Sequence, residues 1–222
     1  MPPKDKKVDF IHSVFTYCGC GSPDMKVWLF SIKTKKHGKA IYMYACNSSM
    51  PNNSGFYSAD GDFLIVPQTG ELFITTELGK LTVKPKEISV IPRGLRFRVD
   101  VKEGEDNRGY ISEVFGGHFT LPELGVIGTN GLANARDFEV PVAAYENVDK
   151  EGEYIVTSKY SGKFFQTVQK NSIFNTVAWH GNYVPYKYNL DKFNTIGTIS
   201  YDHPDPSIFT VLTCPTNEPG YF

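Results

Sequence analysis

Cysteine is scarce. Four thiols, Cys18, Cys20, Cys46 and Cys214, in 222 residues are too few for the disulfide framework of a small secreted domain. Cys18-Gly19-Cys20 has no second pair or histidines at ligand spacing, which excludes a zinc site there. Long hydrophobic runs are also missing. Phe63-Leu64-Ile65-Val66 is typical of the strongest, whereas a helical membrane span needs about 20 residues. Neither sign of charge dominates: 23 Lys+Arg face 24 Asp+Glu, a net charge of −1. That balance removes any electrostatic reason to expect nucleic acid or an anionic membrane. The charged start, Met1 to Lys7, has no apolar stretch behind it, so a secretory signal is not expected. The N-x-S triplets at Asn47 and Asn52 read as chance, and a reducing, cytoplasmic compartment is expected. The motifs G-x-x-x-x-G-K-[ST], G-x-S-x-G and H-E-x-x-H do not occur. Gly125, Gly128 and Gly131 lack the spacing of a dinucleotide fingerprint.

What is present is globular in kind. Apolar residues make 41% and charged residues 21%, against disorder or fibrous structure. A compact chain of this size buries roughly 70% of its extended surface. Twenty glycines and 14 prolines interrupt the chain, and their widest gap is Lys163 to His180, so long helices have little room. Aromatics at 14% suit strands better. Leu95-Arg96-Phe97-Arg98-Val99-Asp100-Val101 alternates apolar and polar without a fault, which predicts a half-buried strand. Upstream, Asp62–Val66, Glu71–Glu77, Lys80–Val83 and Ile88–Ile91 are strand-like runs. Turns at Pro67-Gln68-Thr69-Gly70, Pro85-Lys86-Glu87 and Pro92-Arg93-Gly94 punctuate them. Short strands at this spacing predict an antiparallel sandwich or barrel. His118 to Asp137 reads as a long irregular excursion, of the kind usually functional or packed on a partner. Strand-like runs resume at Val140–Tyr145, Tyr154–Ser158, Ile199–Tyr201 and Ile208–Thr213; Lys163–Lys170 fits a short helix or a strand equally well. The basic cluster Lys33, Lys35, Lys36, His37, Lys39 has no interleaved aromatics and reads as a solvated loop.

Of the five histidines, His12 and His37 lie in polar stretches and read as surface residues. His118, after Gly116-Gly117, reads as a structural hydrogen-bonding group. His203, in Asp202-His203-Pro204-Asp205-Pro206, reads as part of a rigid turn rather than a metal site. His180 is different. It sits in Ala178-Trp179-His180-Gly181-Asn182-Tyr183-Val184-Pro185-Tyr186, where an imidazole followed by glycine leaves access for a substrate. Imidazole both gives and takes a proton near neutral pH. Composition leaves two readings open: a catalytic or binding role, or a packed tyrosine-rich corner.

Asp62 through Phe97 has the cadence of a cupin half, in which a strand ending in P-x-G is followed by a metal-binding histidine. Here Arg96 and Phe97 stand in the histidine's place and no H-x-H precedes them, so this half is expected to be metal-free. Longer stretches resemble one family in particular. They are Ser58-Ala59-Asp60-Gly61-Asp62-Phe63-Leu64-Ile65-Val66-Pro67-Gln68, Val90-Ile91-Pro92-Arg93-Gly94, Arg108-Gly109-Tyr110-Ile111, Gly128-Thr129-Asn130-Gly131-Leu132-Ala133-Asn134, Phe174 through Tyr188, and Asp202-His203-Pro204-Asp205-Pro206-Ser207-Ile208. In order and extent, from Lys6 to about Pro219, they resemble the homogentisate 1,2-dioxygenase family.

The resemblance implies an iron(II) enzyme of tyrosine and phenylalanine catabolism that opens homogentisate with O₂ to maleylacetoacetate. It implies a mainly β fold, a cupin-like antiparallel β-sandwich or jelly roll with long irregular loops and few short helices. The assembly it implies is a homotrimer pairing into a hexamer. His180 matches the family histidine beside the iron that bonds the substrate and acts as acid/base. Residues 1–170 are expected to form the metal-free sandwich domain, short of the family's initial segment. Residues 171–222 are expected to begin a catalytic C-terminal region that is truncated. The family's iron ligands, two histidines and a glutamate, lie beyond Phe222, so iron(II) belongs to the full-length enzyme. Neither metal ligands nor cofactor are expected on this chain alone. The alternative is a non-catalytic cupin-like module, and a fragment, a truncated gene product and a genuine short protein all stay open.

Overall fold

A computed structural model describes residues 9–11, 30–32 (backbone only), 38–121, 133–146, 152–176, 181–193 and 210–215. Its strands are β1 Phe30–Ile32, β2 Gly38–Cys46, β3 Ser54–Ser58, β4 Gly61–Thr69, β5 Leu72–Thr76, β6 Gly79–Val83, β7 Glu87–Ile91 and β8 Phe97–Asp100. They continue with β9 Asn107–Phe115, β10 Phe138–Glu139, β11 Tyr154–Tyr160, β12 Lys163–Gln169 and β13 Tyr186–Asn189. One sheet runs β1-β2-β9-β4-β7-β13-β10 and the other β12-β11-β3-β8-β5-β6. The expected mainly β sandwich is what forms. Among the described strands the pairing is antiparallel except for β3 beside β11, which run parallel.

The core lies between the sheets. Alternate residues of β2 (Tyr42, Tyr44, Cys46), β4 (Phe63, Ile65), β5 (Leu72, Ile74) and β8 (Phe97, Val99) meet there. Phe63 of one sheet stacks 6.0 Å from Phe56 and meets Phe97 edge-on at 6.3 Å, both from the other sheet. Aromatic pairs at these separations add directionality to area burial. Parts of the outer faces are covered too. Leu64 and Val66 pack with Ile88, Ala133 and Tyr188; Ile173 and Phe174 pack on Val156 beyond the other sheet.

Turn chemistry explains the strand boundaries. The Glu87 N–H bonds the Lys84 carbonyl at 2.9 Å, closing a turn with Pro85 second and Lys86 third at φ +71°. Gly94, at φ +84°, occupies the same third place in the turn from Pro92 to Leu95. A type II turn needs that left-handed residue. The alternating strand is shorter than its pattern, and its polar side is not left in water. Arg98 is buried, bonded to Glu146 at 3.0 Å and Asp100 at 3.3 Å, with its guanidinium 5.4 Å from the Phe174 ring.

One strand expectation fails, and a second is met by no more than a bridge in its described part. Val140–Tyr145 forms no strand, and Val142 is 86% exposed. Its apolar residues follow β10 without a backbone partner strand, and composition alone cannot supply one. Thr210–Thr213, the described part of Ile208–Thr213, makes only the isolated bridge Thr120–Thr213. Lys163–Lys170, left open between helix and strand, is the edge strand β12. Ile199–Tyr201 lies outside the described residues.

Gly109 marks a close approach of β9 to its neighbours. A Cβ there would meet the Val66 carbonyl oxygen at 2.2 Å and the Tyr44 hydroxyl at 2.6 Å. Gly109→Ala is therefore expected to force β4 from β9 and destabilise by about 1–3 kcal/mol, read as a lowered thermal midpoint. Gly152→Ala, whose methyl would touch, among the described residues, only the Tyr154 ring at 3.6 Å, is the control expected to change little.

Candidate active site

Four separate segments meet in one cluster around Asp62. Asp62 enters from the start of β4 and is 2% exposed. Arg93, in the turn after β7, donates its backbone N–H (3.0 Å) and its Nε (3.2 Å) to Asp62 Oδ1. The same guanidinium donates to the Gly117 carbonyl. His118, where the chain leaves β9 through Gly116-Gly117, donates Nδ1–H to Asp62 Oδ2 at 2.9 Å. Tyr183, just ahead of β13, closes the group. Its hydroxyl donates to the Arg93 carbonyl at 2.6 Å, and its ring meets the His118 ring edge-on at 5.7 Å and 87°.

The chemistry of this arrangement follows from charge and burial. A buried carboxylate is tolerable only when paired and hydrogen-bonded, and Asp62 takes charge-assisted bonds on both oxygens. Burial, then the negative potential of Asp62, pushes the Tyr183 phenol up, with Arg93 opposing. Burial, then Asp62 and Cys214, pushes the Tyr186 phenol well above its usual range. The Cys214 thiol is raised by burial and Asp62 against Arg93. Both phenols and this thiol are thus neutral donors near pH 7, not nucleophiles.

Beside the cluster opens a cleft of about 520 Å³, walled by Phe119, Leu121, Phe138 and Tyr186 and by Gly181 and Asn182. Its size and largely apolar lining with a few polar groups suit a small molecule with one ring. The Tyr186 hydroxyl reaches the Phe119 carbonyl at 3.4 Å.

The hydrogen-bonding role expected of His118 is met by Asp62. His180, the residue singled out for proton transfer, lies outside the described residues, as do His12, His37 and His203. The two residues that follow His180 in sequence, Gly181 and Asn182, are those that line the cleft.

A family model described as "Homogentisate 1,2-dioxygenase N-terminal" matches residues 1–190, and its C-terminal counterpart matches 191–222. The chain belongs to the homogentisate 1,2-dioxygenase family. It is 53% identical over 221 residues to the homogentisate 1,2-dioxygenase of Drosophila melanogaster, covering 99% of this chain and 47% of that one. Against the Mus musculus protein of that name it is 54% identical over 216 residues, covering 97% and 46%. The chain thus spans about half the length of the curated relatives it matches. Among solved structures, a cupin-2 domain containing protein from Shewanella frigidimarina aligns over 40% of this chain and 78% of its own, at 19% identity and TM-score 0.32.

Membership of this family implies iron. Among the described residues no three His, Cys, Asp or Glu side chains converge. The one carboxylate–imidazole pair, Asp62 with His118, already carries Arg93 on the carboxylate. These residues do not fit an iron ion.

Sequence reasoning missed Asp62, Arg93 and Tyr183 as a unit. One signal was available: Asp62 is an acid opening an otherwise apolar strand, and such a residue needs a partner.

Proposed function

We propose that these residues belong to an enzyme that cleaves the ring of homogentisate with O₂, giving maleylacetoacetate in tyrosine and phenylalanine catabolism. Family membership over essentially the whole chain carries this reading. One ring C–C bond breaks and both atoms of O₂ enter the product, so no outside reductant is consumed. Iron(II), where such an enzyme holds it, would supply the meeting point for substrate and O₂, and its ligands are proposed to come from outside the described residues.

This chain's own contribution is proton handling and shape. A phenol entering reaction with O₂ must lose or share a proton, and the His180 imidazole is suited to take it near neutral pH. The aromatic walls of the cleft and the neutral Tyr186 phenol supply a largely apolar surface beside the residues that follow His180. The division into a scaffold over 1–170 and the start of a catalytic region over 171–222 is part of the same proposal, as are a cytoplasmic setting and a homotrimer pairing into a hexamer. The surface of β12, where Phe164, Phe165 and Val168 are all about half exposed or more, is apolar area that such an assembly can cover.

The test is oxygen uptake by a full-length, iron-loaded protein carrying these residues. Homogentisate is expected to drive consumption of O₂ in equal amount, with maleylacetoacetate accumulating. No homogentisate-dependent uptake from a protein with iron bound would favour the non-catalytic module instead.

A further inference from the structure

Two exposed apolar stretches of the described chain have an open backbone edge. The first is β12, the last strand on one side of its sheet, where Phe164, Phe165 and Val168 are each about half exposed or more. An edge strand presents a row of unpaired N–H and C=O groups, and edges that stay single are blunted by a charge, a proline or a bulge along their length. Between Lys163 and Lys170 there is only Phe164-Phe165-Gln166-Thr167-Val168-Gln169, and β12 pairs with β11 in unbroken register. The second stretch, residues 140–145, follows β10 without a turn or bend. Val140, Val142 and Tyr145 are likewise half exposed or more, and residues 140–145 make no backbone hydrogen bond to another described residue. The two stretches also match in length and charge. Glu139 and Glu146 bracket one, Lys163 and Lys170 the other, and each pair stands seven positions apart.

We propose that residues 140–145 of one copy lie antiparallel along β12 of a second copy, continuing its sheet across the contact. In that register Glu139 faces Lys170, Glu146 faces Lys163 and Val142 faces Thr167. Ala144 and Tyr145 then cover Phe165 and Phe164. Main-chain bonds give such an added strand its hold, and its side chains give the choice of partner. Glu139 already meets Lys187 and Lys192, and Glu146 meets Arg98, so the end charges select the register more than they add strength. Laying β12 on β12 is the poorer pairing, because the same antiparallel register sets Lys163 against Lys170 at both ends. Since the two surfaces differ, the contact is heterologous and repeats from copy to copy until a ring closes. This deepens the assembly reading given above and does not depend on the catalytic one.

The experiment uses a full-length, iron-loaded protein carrying these residues. Val142→Cys and Thr167→Cys versions, each with its own affinity tag, are co-expressed, oxidised and separated without reductant beside the oxidised parent. Facing Cα atoms of an antiparallel pair stand about 4.5–5.5 Å apart, within disulfide reach. A linked dimer carrying both tags and released by reductant is expected. Val142→Cys with Lys163→Cys, four positions out of register, is expected to give none above the parent's background. Val142→Lys, a change at an exposed position, is expected to keep the thermal midpoint while moving self-association to about tenfold higher protein concentration. A monomeric parent would overturn the interface and the assembly reading together. An oligomeric parent that yields no mixed dimer, or a Val142→Lys protein that assembles as the parent does, would overturn the interface and leave the assembly reading standing. Linked dimers from Val142→Cys alone in equal yield would show a two-fold contact and overturn the heterologous one.

Discussion

His180→Ala, made in a full-length, iron-loaded protein carrying these residues, is expected to lower kcat by about 10² to 10⁴. Iron content is expected to stay near that of the parent. The size follows from what a positioned general acid or base contributes, and the sparing of iron follows from placing the imidazole outside the metal's ligands. A histidine that merely packs a tyrosine-rich corner would behave otherwise, lowering the yield of folded protein while leaving activity per folded molecule intact. Parallel loss of iron and activity would make His180 a ligand or a scaffold residue. Iron analysis alongside kcat separates these outcomes in one preparation.

The second large effect concerns stability, at Lys159. Its ammonium lies inside the sandwich, 2.9 Å from each oxygen of Glu113 and 2.8 Å from Asp60, with side chains 7%, 0% and 9% exposed respectively. Tyr42 and Ser58 hydroxyls donate to the same Glu113 carboxylate at 2.6 and 2.7 Å. Lys159 comes from β11 and Glu113 from β9, so the network ties the two sheets together. Removing one partner of a buried pair leaves an uncompensated charge, at about 3–5 kcal/mol. Lys159→Met is expected to lower the thermal midpoint by roughly 6–20 °C for a chain of this size. Adding Glu113→Gln should recover part of that loss, since the second change removes the charge the first one stranded. A double variant no better than the single would mean that packing of the lysine stem, not charge, is what matters.

The same network predicts a pH dependence. Burial by itself would raise the Asp60 carboxyl, but bonds from Lys159 and from the Gly162 and Ser161 N–H groups outweigh it and hold the group below its usual range. A depressed carboxylate adds stability that is fully present above its unfolded value of about 3.9 and is lost as pH falls through the folded value. Acid titration of the thermal midpoint is expected to show that loss below about pH 4, and to show less of it in Lys159→Met.

Several strands could be read directly from residues because their two faces differ in chemistry. Asp62–Val66, Lys80–Val83 and Ile88–Ile91 fall in strands as expected, and the turns at Pro85 and Gly94 hold because few residues suit those backbone angles. Strand β2 escaped because Gly38–Cys46 is apolar on both faces: Ile41 and Met43 face outward opposite Tyr42 and Tyr44. Strand β9 escaped because its inward positions include Asn107, Gly109 and Glu113, the reverse of what alternation looks for.

What the sequence by itself determined is the class of fold, the family, and the histidine worth testing. Each rests on a local pattern: short strands between turns, long ordered motifs, an imidazole beside glycine. Only the tertiary structure decided which acid meets which base. Lys159 is 46 residues from Glu113 and 99 from Asp60; Asp62 is 31 from Arg93 and 56 from His118. No periodicity links positions so far apart. They become neighbours because the sheets pair distant strands in one register, and a buried charge is then stable only where its partner has been delivered to hydrogen-bonding distance.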